Sequence, residues 1–136
     1  LCSGTSIGRR AREAIKVRPR VGRAILREGG GEATAKAVFD AARSGDRLAH
    51  RLVSETADYL GMSMAATTNA FAPELIVVGG SVAKAGRTLF EPLRRSAGSY
   101  TMPVHRPHLR IVPAKLKGRS MIYGAVALAL MHGDLN

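Results

Sequence analysis

Apolar and small residues recur every three to four positions at Ile7, Ala11, Ala14 and Ile15, with arginines on the opposite face. That spacing predicts an amphipathic helix capped by Ser3 or Thr5 and interrupted at Pro19. A shorter helical stretch over Val21 to Leu26 runs out at Gly29-Gly30-Gly31, where no side chain resists positive φ. Thr34 then caps AKAVFDAARS, Gly45 stops it, and Asp46 caps the next element. From Arg47 to about Phe71, Leu48, Leu52, Val53, Thr56, Tyr59, Leu60, Met64 and Thr67 keep helical spacing, while Gly61, Ala65 and Ala66 admit a close neighbour. This is the longest predicted helix.

Pro73 ends it, and Leu75 to Val78 follows as a short β-branched-rich run with the pattern of a strand buried on both faces. After Gly79-Gly80 the helical pattern returns over Lys84 to Ser99, with Leu89, Phe90, Leu93 and Ala97 inward and a kink or restart expected at Glu91-Pro92. His108 to Pro113 reads as a second strand, and Ser120 to Met131 as a closing alanine-rich helix. This order predicts a parallel βαβ unit with a right-handed crossover. Two strands leave exposed edges, so further strands are expected upstream or from a partner chain.

The 136 residues have the length of one domain, and 46% hydrophobic composition is enough for its core. Aromatic residues make up only 4%, with no Trp, so Leu, Ile, Val, Ala and Met must fill that core. The 21 Lys+Arg against 10 Asp+Glu give +11, and Arg9, Arg10, Arg12, Lys16, Arg18, Arg20, Arg23 and Arg27 face only Glu13 and Glu28 before residue 30. Such charge favours anionic ligands, phosphate-bearing ones included, or simply forms a solvated face. Direct nucleic-acid binding ranks last, because no aromatic residues interleave with these cations.

The single cysteine, Cys2, can neither close an internal disulfide nor alone hold zinc, which fits a reducing cytoplasm. Met121 to Met131, the longest apolar run, is shorter than the roughly 18 to 20 residues of a membrane span, so no membrane partner is expected. The first residues, LCSGTSIG, carry no initiating Met and no signal pattern, and suggest a piece of a longer chain.

Gly79-Gly80, between a strand and a helical pattern, lets a ligand reach the backbone because no Cβ intervenes. It is neither GxGxxG nor a Walker A motif, and a purely structural exit from the strand explains it equally. The carboxylates fall mostly on helix faces, caps or the tail, with no pair at a strand end, and Asp46 reads as a cap. His105-x-x-His108 lacks the third ligand that a metal site needs. Ser3, Ser63 and Ser81 have no nucleophile-elbow context. Neither a catalytic set nor a metal site is assigned.

Four blocks, SGTSIGRRAREA, TAKAVFDAARSGDRLAHRLVSETADYLGMSMAATTNAFAPELIVVGGSV, AGRTLFEPLRR, and HLRIVPAKL followed by YGAVALAL, together resemble the C-terminal part of the ROK family. That family groups sugar kinases, glucokinase among them, with related transcriptional repressors. The resemblance implies an α/β fold, the C-terminal lobe of an actin-like ATPase (ribonuclease H-like) fold, helix-rich with a few mostly parallel strands. Residues 1–136 would be that single lobe, without its N-terminal counterpart. Gly79, Gly80 and Ser81 would border the adenosine end of an ATP site through backbone, and Gly4 and Thr5 in the Ser3-Gly4-Thr5 turn its phosphate side. ATP and magnesium are the implied cofactors, a homodimer the implied assembly, and sugar a ligand only with the N-terminal lobe.

The implied function is the nucleotide-binding lobe of an ATP-dependent hexose kinase of the glucose type, inactive alone; the alternative is the effector or oligomerisation lobe of a ROK repressor. One departure touches the site. Kinases of the family close with a Gly-Asp-Asp-Ala-Gly-like stretch, where this chain has Lys117-Gly118-Arg119-Ser120-Met121. The family's phosphate-binding Asp-Gly motif, catalytic aspartate, sugar-binding residues and zinc loop would all precede residue 1.

Overall fold

A computed structural model of the chain describes residues 2–116 and 119–132. Helix α1 (Gly4–Val17) starts as expected, with Ser3 Oγ accepting from the Ser6 amide at 3.2 Å. It buries Ile7 and Ala11 and leaves Arg9 and Arg12 outside, whereas Arg10, expected on the solvent face, turns in against α4 and donates to Thr56 Oγ1 at 3.1 Å and Glu55 Oε2 at 2.5 Å. A 3-10 turn over Pro19–Gly22 leads into α2 (Arg23–Glu28), and the glycine triplet turns the chain with Gly30 and Gly31 at positive φ. Thr34 caps α3 (Ala35–Arg43), and Asp46 caps α4 (Arg47–Phe71), the longest helix of the described residues.

Asp46 Oδ1 accepts from the Ala49 amide at 2.8 Å, satisfying a donor that would otherwise lack a partner at the start of α4. Replacing Asp46 with Ala is expected to lower unfolding free energy by about 1 kcal/mol, read as a shifted urea midpoint at unchanged slope.

The core lies between α4 and its neighbours α1, α3 and α5 (Arg87–Tyr100). Leu48, Leu52, Val53 and Ala57 of α4 meet Val38, Ala41 and Ala42 of α3 and Leu89, Phe90 and Leu93 of α5 in one cluster. Contacts between α4 and α5 advance in the same sense along both helices. Ser96 Oγ donates to Asp58 Oδ1 at 2.6 Å, a Cβ at Gly61 would crowd Ser96 and Ala97, and Asn69 Nδ2 donates to the Tyr100 carbonyl at 3.2 Å. The two helices therefore run parallel. Buried hydroxyls bond within their own helices, Thr56 to Leu52 at 2.7 Å, Thr68 to Met64 at 2.8 Å and Thr101 to Ala97 at 2.7 Å. Among the described residues no buried side-chain polar atom lacks a partner.

Strands β1 (Ile76–Val78) and β2 (Ile111–Pro113) pair in parallel with Ile76 opposite Ile111, so the expected βαβ unit forms with α5 as the crossover. Four expectations need correction. Val77 is 57% exposed, so β1 is covered on one face only; a continuous apolar run looks the same whether one or both faces are covered. Pro92 does not break α5, because Leu89, Phe90, Leu93 and Ala97 bury a continuous stripe on both sides of it and outweigh one missing backbone bond. The break falls earlier, at Gly86 (φ 61), which separates a 3-10 turn over Val82–Ala85 from the helix. On α4, Tyr59 and Thr67 point outward and Thr68 inward, since a helix of this length drifts against any fixed three-to-four spacing.

The closing helix α6 (Ser120–His132) forms as expected, and its described side chains from Met121 to Met131 are exposed. No helix among the described residues is long and apolar enough to cross a membrane.

Candidate functional site

The Gly79-Gly80 turn leaves the end of β1 with Gly80 at φ 86, a conformation that glycine adopts without steric cost. A Cβ at Gly80 would meet no atom within 4 Å, so the turn is open as well as left-handed. Ser81 follows as the residue before the 3-10 turn, and three chain segments meet beside it at Gly4. A Cβ built at Gly4 would lie 3.6 Å from Ser81 Oγ, 3.7 Å from Ala35 Cβ and 4.0 Å from Val82 Cγ2. The starts of α1 and α3 thus meet the glycine turn at one place. Two of the implied site residues, Gly4 and Ser81, are far apart in sequence and neighbours in the fold.

Beside this junction lies a hollow of about 320 Å³ between α3 and the 3-10 turn. Phe39, Val82 and Ala85 give it apolar walls, and Lys36, Arg43 and Lys84 bring positive charge to it. Asp40 is its one carboxylate, and it accepts from Lys36 Nζ at 2.7 Å and from Arg43 Nη2. A second hollow, of about 430 Å³, opens on the other side of the turn between Gly79, Gly80 and the residues after β2, Pro113 to Lys115. Lys84 borders both. The implied residues are therefore divided: Ser81 lines the first hollow, Gly79 and Gly80 the second, and Thr5 sits exposed in the first turn of α1, lining neither. Lys117 and Gly118 of the altered loop lie outside the described residues.

Sequence reasoning missed Phe39, Lys36 and Asp40. The i, i+4, i+7 ladder Lys36, Asp40, Arg43 was legible as an ion-paired stripe on α3. That this stripe rims a hollow depends on where the turn after Ser81 packs, which no local pattern encodes. The other expected positions hold no comparable arrangement. His105 and His108 border a shallow recess with Glu74 and Arg110, and the described residues contain no group of three or more His, Cys, Asp or Glu able to hold a metal ion.

The ROK family profile matches residues 1–132. The chain belongs to the ROK family. A glucokinase of Halalkalibacterium halodurans is 39% identical over 103 residues, 76% of this chain and 31% of the relative. The DNA-binding transcriptional dual regulator NagC of Escherichia coli is 31% identical over 107 residues, 76% of this chain and 26% of the regulator. Among solved structures, a ROK family glucokinase from Streptomyces griseus, in complex with glucose and AMPPNP, superposes with a TM-score of 0.84 at 29% identity. That match covers 96% of this chain and 43% of the other. The fold of this ROK chain is accordingly that of the family's glucokinases, an actin-like ATPase-type α/β fold. The chain spans under a third of the length of the curated relatives it matches.

Proposed function

We propose that this chain is the C-terminal, nucleotide-binding lobe of an ATP-dependent sugar kinase of the glucose type. The observation that carries the reading is the convergence of Gly4, Ala35 and Ser81 beside an open, positive-φ glycine turn, with an apolar hollow next to it. In this reading the adenine enters the hollow against Phe39, Val82 and Ala85. The bare backbone of Gly79 and Gly80 borders the adenosine end, the phosphates run toward the Ser3-Gly4-Thr5 turn, and Lys84, which borders both hollows, brings positive charge to an anionic ligand.

The residues present fit a nucleotide and do not fit a magnesium ion. Asp40, the carboxylate of the hollow, is neutralised by Lys36 and Arg43, so the hollow offers no free carboxylate to hold magnesium or to act as base on a sugar hydroxyl. The chain alone is expected to bind nucleotide without transferring phosphate. Its relatives among glucokinases support the reading.

Calorimetric titration of ATP into the chain tests it. Saturable binding that adenosine competes for, and that Ala85→Trp weakens about tenfold or more by filling the hollow, is the expected result. Absence of binding at millimolar ATP, or binding indifferent to Ala85→Trp, overturns it.

The acid-free stretch Lys117 to Met121 and the likeness to NagC favour a second reading, the effector or oligomerisation lobe of a ROK repressor. It predicts self-association without ATP affinity, and the same titration separates the two. Both readings include a homodimer. The exposed Met121, Ile122, Val126 and Leu130 of α6 supply apolar surface for it, and sedimentation at increasing concentration reads it directly.

A further inference from the structure

A groove of about 730 Å³ lies between the N-terminal halves of α4 and α5, bounded on one side by the end of α3. Arg43, His50, Arg51, Arg87 and Arg95 line it against one carboxylate, Glu91. Two of these cations are already used. Arg87 places Nε and Nη2 at 2.8 Å and 2.6 Å from Glu91 Oε1, and Arg43 pairs with Asp40. The guanidinium groups of Arg51 and Arg95 have no hydrogen bond or ion pair among the described residues.

Their placement is systematic. His50, Arg51 and Ser54 occupy one face of α4, and Thr88, Glu91 and Arg95 one face of α5, at the three-to-four spacing that stacks side chains along a helix. Helix α5 has neither an acidic cap nor an acidic residue in its first turn, so Arg87 stands where the helix dipole makes a cation unfavourable, whereas the Asp46 carboxylate offsets the dipole at the start of α4. Like charges collected around a concave wall, with two guanidinium groups unpaired, oppose the folded state until an anion enters.

Two features limit the anion's size. Beyond Ser54 the groove gives way to Glu55 and Asp58, which would repel a polyanion continuing along the helices. No Phe, Tyr or Trp lines it, so it lacks the large aromatic platforms on which successive bases stack. A planar guanidinium matches phosphate oxygens, and the hydroxyls of Ser54 and Thr88 suit a neutral polar remainder.

We propose that this groove binds the phosphoryl group of a small phosphate ester, at a site separate from the nucleotide hollow. The source is either a phosphorylated sugar or free phosphate. The two share the oxyanion and differ in the remainder that reaches Ser54 and Thr88.

The test is calorimetry on the full chain with glucose 6-phosphate, inorganic phosphate, glucose and a single-stranded oligonucleotide. Saturable binding of glucose 6-phosphate that the double variant Arg51→Gln/Arg95→Gln weakens about tenfold is expected. Lys16→Gln/Arg20→Gln removes the same charge elsewhere and is expected to change it by less than about twofold. Both double variants alter exposed side chains, and circular dichroism checks that they fold. Glucose 6-phosphate binding more tightly than phosphate identifies the ester as ligand; equal affinities identify free phosphate, and both support an oxyanion site.

No saturable binding of either phosphate compound at millimolar concentration overturns the proposal, as does equal weakening by the two double variants. So does binding of glucose itself, or displacement by the oligonucleotide at lower concentration. Binding retained in a Gly80→Asn variant that has lost ATP separates this site from the nucleotide reading.

Discussion

Gly61→Leu is expected to destabilise the protein by about 3 kcal/mol or more, enough to leave a marginally stable domain largely unfolded on mild heating. Gly61 is buried where α4 meets α5, and a Cβ there would stand 2.5 Å from Ser96 Oγ, 2.6 Å from Ser96 Cβ and 2.7 Å from the Ala97 nitrogen. The hydroxyl could rotate away, but the backbone nitrogen cannot. Any side chain therefore separates the two helices that hold the centre of the core. Separation also breaks the 2.6 Å bond from Ser96 to Asp58 and loosens Leu89, Phe90 and Leu93 against α4.

Gly61→Ala provides the graded comparison. It gains up to about 1 kcal/mol in helix propensity and still meets the same contacts, so a smaller net loss is expected. Urea unfolding followed by circular dichroism reads both. A Leu variant as stable as the parent would mean that α4 and α5 do not approach at this position.

The second large effect belongs to Gly80. Gly80→Val forces a β-branched residue to φ 86, which costs on the order of 1–3 kcal/mol and rearranges the turn. ATP affinity is expected to disappear with the turn's geometry. Loss in this variant alone would not separate a distorted turn from a blocked one. Gly80→Asn does, because Asn tolerates the left-handed region and its Cβ would enter open space. A folded Asn variant with ATP binding weakened by about tenfold or more means the space above Gly80 is where the ligand lies. An Asn variant that binds ATP as the parent does would reduce the Gly-Gly turn to a means of leaving the strand.

Helix limits were legible because caps are local. Ser3, Thr34 and Asp46 each accept from an amide three residues on, and Gly45 takes positive φ between two of the helices. The close approach at Gly61 was legible too, as a small residue on an otherwise apolar face. Pro92 misled because its local penalty is small beside a stripe of burial that only the packed helix reveals. Val77 misled for the related reason that strand burial depends on what covers each face. At the candidate site, the open turn was visible as Gly79-Gly80, but Phe39 looked like any core aromatic and Asp40 like any helix-surface partner of a lysine.

By itself the sequence determined which segments become helix and strand, where the caps stand, the concentration of positive charge and membership in the ROK family. These rest on interactions within a few residues and on patterns carried along the chain. Only the tertiary structure decided that α1, α3 and the turn after β1 converge at Gly4, and that parallel packing of α4 and α5 gathers unpaired arginines around one groove. Both follow from contacts between residues some 30 to 80 positions apart, whose energies depend on how whole helices seat against one another.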